Sequence, residues 1–229
     1  MIRAGRVRLN GKLQRDPEQA VRLATDRIEV DGSIVGATTK VYLMLNKPRG
    51  VVTTASDEKG RETVYAFLGD ELPWVAPVGR LDKASEGLLL LTNDSHWAAR
   101  ITAPETHLEK TYHVQVNAVA DATLTKTLVS GVVVASGERL RAKSASILRR
   151  GEKNTWLTIV LDEGKNRHIR RMLEALGIAV LQLVRISIGS LALGDLAKGT
   201  SRALTANEKA ALDAAMRQGE RTASRPRRH

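Results

Sequence analysis

Apolar residues fall at every second position in Lys110-Thr111-Tyr112-His113-Val114-Gln115-Val116, a period that predicts a half-buried strand with His113 on the face opposite Tyr112. The run Gly87-Leu88-Leu89-Leu90-Leu91-Thr92 does not alternate, and four leucines in a row predict a strand covered on both faces. The polar segment just before it, Pro77-Val78-Gly79-Arg80-Leu81-Asp82, then falls at a strand edge where a cleft can open. Shorter β-like runs lie at 41–46, 51–54, 132–135, 142–148, 156–161 and 179–188. Helical spacing marks 95–101, 122–129 and 166–176, the last ending at Gly177. In that helix Ile169, Met172, Leu173 and Leu176 share one face, and Arg167, Arg170 and Arg171 point elsewhere. Thr205-Ala206-Asn207-Glu208 is a capping box that opens a last helix to about Arg217. Strands that mostly follow strands, with a few helices between, predict an α+β fold around a largely antiparallel sheet.

Two short β units precede this body, at 7–13 around Asn10-Gly11 and at 27–35 around Asp31-Gly32. Units this small do not form an independent core. Residues 36–39 read as a linker, and the arginine-rich stretch 219–229 reads as a disordered tail.

Charge narrows the partner. Lys and Arg number 36 against 25 Asp and Glu, a formal excess of +11. Such an excess favours a polyanion, because each phosphate neutralised releases counterions, and nucleic acid is the first candidate. With aromatic residues at only 3% of the chain, shape and phosphate contacts are expected to outweigh base stacking. DNA is the weaker choice, since neither a helix-turn-helix signature nor zinc spacing is present. The chain has no cysteine, which excludes disulfides and thiolate chemistry. No apolar run reaches membrane-spanning length and the first residues lack a secretory apolar centre, so the expected location is the cytoplasm.

Among reactive groups, Asp82 stands out as a carboxylate two residues from Arg80, with further arginines available from the 166–176 helix. Held in a cleft beside fixed positive charge, a carboxylate serves as a nucleophile or stabilises a cationic centre. The same four residues equally describe an aspartate capping a turn and paired with arginine at the surface. Five histidines without ligand spacing give no metal site, and no phosphate-cradling or dinucleotide loop indicates a nucleotide cofactor.

Four segments together resemble one family. They are Asn46-Lys47-Pro48-Arg49-Gly50; Gly79-Arg80-Leu81-Asp82 with Glu86 to Asp94; Lys110-Thr111-Tyr112; and Glu163-Gly164-Lys165-Asn166-Arg167-His168-Ile169-Arg170-Arg171-Met172. In order and spacing they are similar to the RsuA-type pseudouridine synthases, over about residues 40–210. The resemblance implies a catalytic domain at 40–212 with the pseudouridine synthase fold, a reduced RNA-binding module at 1–38, and the end of a helix plus a basic tail at 213–229. It also implies a cofactor-free isomerase that detaches uracil from C1′ of a uridine in RNA, turns it and rejoins it through C5. By the same resemblance Asp82 is the essential group, Arg80 orients it, Arg170 pairs with it, Tyr112 lies against the base and Ile169 gives an apolar floor. Lys47, Arg49, Lys165, Arg167 and Arg171 are the expected RNA contacts.

Two departures stand out. Only the later half of the family's N-terminal RNA-binding module is matched, and Ser85 stands where a threonine is common, which keeps a hydroxyl. Asn166-Arg167 and Ser187-Ile188-Gly189-Ser190-Leu191 followed by Gly194 look most like the large-subunit rRNA enzymes. A small-subunit rRNA or tRNA uridine is the alternative substrate, and a non-catalytic RNA-binding or ribosome-assembly protein is the alternative class. The family resemblance further implies a monomer.

Overall fold

The computed structural model describes the chain apart from residues 23–24, 36–38, 56, 70 and 224–229. It divides into two compact units, Met1–Lys40 and Val41–His229.

In the first unit, β1 (Val7–Leu9) and β2 (Lys12–Gln14) form a hairpin, as do β3 (Ile28–Val30) and β4 (Ser33–Val35). Both turns place two left-handed residues in succession, Asn10-Gly11 and Asp31-Gly32, the geometry whose twist matches the flanking strands. The two units expected from the sequence do not stay separate. β3 pairs with β1, giving one sheet in the order β2-β1-β3-β4, and Arg6 clasps Asp31 at 2.5 Å. Most of the expected linker, 36–38, lies outside the described residues.

The second unit is α+β, built on a nine-stranded, mostly antiparallel sheet. Its strands are β5 (Tyr42–Lys47), β6 (Ala76–Val78), β7 (Glu86–Thr92), β8 (Lys110–Val116), then β11 (Ser144–Arg150) and β12 (Thr155–Leu161) after the small β9 (Val132–Val133) and β10 (Arg139–Leu140) pair, and finally β13 (Val180–Ile188), β14 (Leu191–Ala192) and β15 (Ser201–Ala203). The central order is β11-β12-β8-β13-β7-β5-β15, with β14 on β13 and β6 on β7. Four α-helices of the described residues flank it: α1 (Ser95–Thr102), α2 (Ala122–Ser130), α3 (His168–Ala175) and α4 (Ala206–Ala223). Among the described residues none is long and apolar enough to cross a membrane.

The leucine strand is central and buried on both faces, as its pattern requires. Leu88 and Leu90 join Met44, Trp97, Leu212 and Met216 on one side, and Leu89 and Leu91 join Leu43, Leu45, Val51 and Val64 on the other. Farther along the sheet, Val114, Val116, Leu157 and Ile159 meet Ile169, Met172 and Leu173 of α3.

Four expectations need correction. Residues 51–54 are not a strand: Val52 makes a single bridge with Thr63, while the Thr53 hydroxyl turns to the carbonyl of Leu81. Strands β6 and β15 were not foreseen. α3 starts at His168 instead of Asn166, because Arg167 adopts a left-handed backbone, φ 47° and ψ 31°. α4 runs past Arg217 to Ala223, held by tertiary contacts that local propensity does not carry. Glu220 pairs with Arg100 at 3.0 Å, and Gly219 packs so tightly that a Cβ there would lie 1.8 Å from the carbonyl oxygen of Thr106. Of the expected tail, residues 219–223 are therefore helical, and 224–229 lie outside the described residues.

Candidate active site

A cavity of about 360 Å³ opens where the start of α3 crosses the sheet beside the turn that ends β6. Gly79, at φ 70°, turns the chain out of β6, and Arg80, Leu81 and Asp82 follow along the cavity wall. From the sheet come Lys110, Tyr112 and Arg185. They share a face because Lys110 and Tyr112 are two apart on β8, and Arg185 on β13 lies directly across from Tyr112. His113 falls opposite Val184 and Thr158, on the other face, as the alternation predicted.

The Asp82 loop is tied down by the segment after β5. Gly50 donates its N–H to the carbonyl of Lys83 at 2.8 Å, and Thr53 Oγ1 donates to that of Leu81 at 2.8 Å. Lys47 is fully buried, and its Nζ donates to three carbonyls: Ser85 at 2.8 Å, Pro48 at 3.1 Å and Asp82 at 3.2 Å. Burial pushes this ammonium down to about 8, against the opposing fields of Glu86 and Asp82. Lys47 was expected to touch RNA; it sits instead beneath the loop, out of reach of a phosphate.

The partner of Asp82 also differs from expectation. Its carboxylate, about a third exposed, is paired with Arg167, Nη1 to Oδ2 at 3.6 Å. The left-handed backbone at Arg167 places that residue where the cavity meets a second, shallower groove, since both are lined by Arg80, Asp82 and Arg167. Arg170 donates to the carbonyl of Ala84 at 2.9 Å and lies 3.5 Å from Ser85 Oγ. It therefore braces the loop that carries Asp82, and burial together with the field of Arg167 holds its guanidinium below its ordinary range.

Arg80, Asp82, Tyr112, Lys165, Arg167, Ile169 and Arg170 all line this one cavity. Arg49 does not: it is exposed, with Nη1 3.3 Å from the carbonyl oxygen of Leu181. Arg171, expected at RNA, turns away to Glu138 and Ser136, each at 2.9 Å. Lys165 lines the cavity but is shared between Glu163 at 2.8 Å and Glu138 at 3.3 Å.

Among the Lys and Arg residues of the wall, two had not been singled out for a role, Lys110 and Arg185. Burial, and then the field of Arg185, pushes Lys110 down to about 8, with Asp162 acting the other way. Arg185 is 6% exposed and donates from Nε to the carbonyl of Leu88 at 2.7 Å. A lone arginine inside the apolar strand pattern of 180–188 was the available signal. Against two carboxylates, Asp82 and Glu163, the cavity sets six Lys and Arg side chains, so its field favours an anionic substrate.

The model of the RNA pseudouridylate synthase family matches residues 41–175. Ribosomal large subunit pseudouridine synthase B of Bacillus subtilis is 36% identical over 91% of this chain and 85% of its own length. An uncharacterized RNA pseudouridine synthase of Aquifex aeolicus is 38% identical over 93% of this chain and 85% of its own. Among solved structures, a pseudouridylate synthase superposes with a TM-score of 0.68 at 31% identity, covering 92% of this chain and 90% of the other. The fold is thus the pseudouridine synthase fold, and the class is an isomerase acting on RNA. Within that class, the chain belongs to the RsuA-type pseudouridine synthases.

Proposed function

We propose that the enzyme converts one uridine of large-subunit ribosomal RNA to pseudouridine, with Asp82 engaging C1′ of the flipped nucleotide. The observation that carries this reading is the gathering of Asp82, Tyr112, Ile169 and Arg170 around one cavity of about 360 Å³, in whose wall cations outnumber carboxylates. The name of the Bacillus subtilis relative supports the large subunit as target.

Heterolysis of the bond between N1 and C1′ builds positive charge on the sugar, which a nearby carboxylate traps covalently or stabilises. Asp82 does this from a loop fixed by Lys47, Gly50 and Thr53. Arg167 and Arg80 stand at the mouth, where the backbone phosphates of an extruded nucleotide arrive. The pairing of Arg167 with Asp82 is then exchanged for a phosphate as the carboxylate turns to the sugar. Neither C1′ nor C5 is accessible inside a stacked helix, so the base must leave the stack, and Tyr112 and Ile169 supply its aromatic and aliphatic walls. A closed pocket keeps water from capturing the sugar before C5 does. The arginine-bearing Met1–Lys40 unit is read as a reduced RNA-binding module.

Carbodiimide mapping of rRNA from a deletion strain tests the substrate. One missing pseudouridine in the large-subunit RNA is expected, and an unchanged large-subunit map rejects that target. Tritium release from C5-labelled uridine tests the residue. Asp82→Ala should abolish release and keep RNA affinity, and undiminished release would remove Asp82 from the chemistry.

A further inference from the structure

Two cations of the cavity remain without a role, the buried Arg185 and the half-buried Lys110. Lys110 and Arg185 project from adjacent strands onto the face that carries Tyr112. With Nε committed to the carbonyl of Leu88, Arg185 keeps Nη2 buried and without an acceptor among the described residues. A buried charged donor left unsatisfied is costly and calls for a partner that arrives later. The backbone also holds Arg185 in place. Gly87 on β7, at φ 99°, lies so close that a Cβ would be 2.3 Å from the carbonyl oxygen of Arg185, an approach only glycine allows.

The chemistry of the site requires an anion where these cations lie. When the N1–C1′ bond breaks, its electron pair leaves with the base, and the charge spreads from N1 onto O2 and O4 of the ring. Asp82 answers the positive sugar but does nothing for the negative base. We infer that Lys110 and Arg185 form an anion-holding wall that binds the detached uracil through its carbonyl oxygens and keeps it in the cavity while it turns. The sequence balances. The pair from N1–C1′ goes to N1, a ring pair forms C5–C1′, the C5 hydrogen leaves as a proton, and N1 gains one. Backbone phosphate is the other anion that could use these cations. The burial of Arg185 argues against it, because the phosphates stay with the strand at the mouth, beside the exposed Arg80 and half-exposed Arg167. This inference rests on the reading of Asp82 as the group that faces C1′.

The test compares leaving groups. Full-length wild type and Lys110→Met are given rRNA transcripts carrying either uridine or 5-fluorouridine, and N1–C1′ cleavage is followed at saturating enzyme by mass analysis of digests. Fluorine stabilises the departing base as an anion, so it substitutes in part for the missing cation. Lys110→Met should slow the uridine reaction by about 100-fold, the scale of losing one preorganised charge-stabilising donor. It should slow the 5-fluorouridine reaction roughly 10-fold less, with RNA affinity little changed. Arg185→Lys should reproduce the pattern more weakly, and a thermal melt of each variant confirms folding. Equal losses on both substrates would mean a structural role and overturn the inference, as would weakened RNA binding with an unchanged saturated rate, the mark of a phosphate clamp. Failure of the underlying reading looks different: wild type would be inactive on the transcripts, or Asp82→Ala would stay active.

Discussion

Replacing Lys47 by methionine separates two roles that the Asn-Lys-Pro-Arg-Gly segment could have. Methionine keeps the length and apolar stem but leaves the carbonyls of Pro48, Asp82 and Ser85 without their shared ammonium. Hydrogen bonds from a charged donor are worth roughly 1.5–3 kcal/mol each, so three set an upper scale of about 5–9 kcal/mol. Two effects reduce it: the carbonyls relax toward water or other donors, and the burial of a charge is relieved. A net loss of about 2–4 kcal/mol is expected, which in a domain of this size lowers Tm by roughly 4–16 °C. The Asp82 loop loses an anchor at the same time, and a shift near 1 Å at the reacting carboxylate costs about 100-fold in rate. Urea titration, single-turnover pseudouridine formation and RNA filter binding measure the three quantities. Stability and kcat should fall together while RNA affinity holds, because Lys47 is fully buried. Weakened RNA binding with intact stability and kcat would refute the reasoning and return Lys47 to the RNA surface.

Gly87→Ala should destabilise by about 3 kcal/mol or more in denaturant titration, since its Cβ meets backbone atoms of Arg185 at 2.3 and 2.8 Å that have nowhere to move. Gly219→Ala should loosen the end of α4 against Thr106, seen as faster amide exchange over 217–223 with catalysis largely preserved. The pH profile should report Lys110, which faces Arg185 on β13, with Asp162 nearby and Asp82, Glu163, Lys165, Arg167, His168 and Arg170 lining the same cavity. Its folded-state value lies below the ordinary 10.5, so the ammonium form is lost as pH rises through about 8. The value of kcat/KM should decline there, and Lys110→Arg should carry that limb to higher pH; an unmoved limb assigns it to another group.

The α+β class and the strand buried on both faces were legible because four adjacent leucines admit few other placements. Tyr112 was placed on the correct face by strict alternation along β8. Lys47 and Arg171 were misread for one reason: a cation in a linear motif looks free until the fold shows which carbonyl or carboxylate it meets. Glu138, the partner of Arg171, is 33 residues away, and the carbonyl of Ser85 is 38 from Lys47. The exchange of roles between Arg167 and Arg170 turns on the left-handed backbone at Arg167, which helical periodicity does not foretell. Arg185 went unassigned because an arginine inside an apolar strand reads as an interruption until the parallel neighbour, β7, is known.

Leu212 and Met216 near the end of the chain are fully buried against the central leucine strand. During synthesis, one side of that strand therefore stays bare until α4, far downstream of it, has been made and leaves the ribosome. Translation itself thus withholds a finished catalytic unit from the surrounding RNA until α4 has followed.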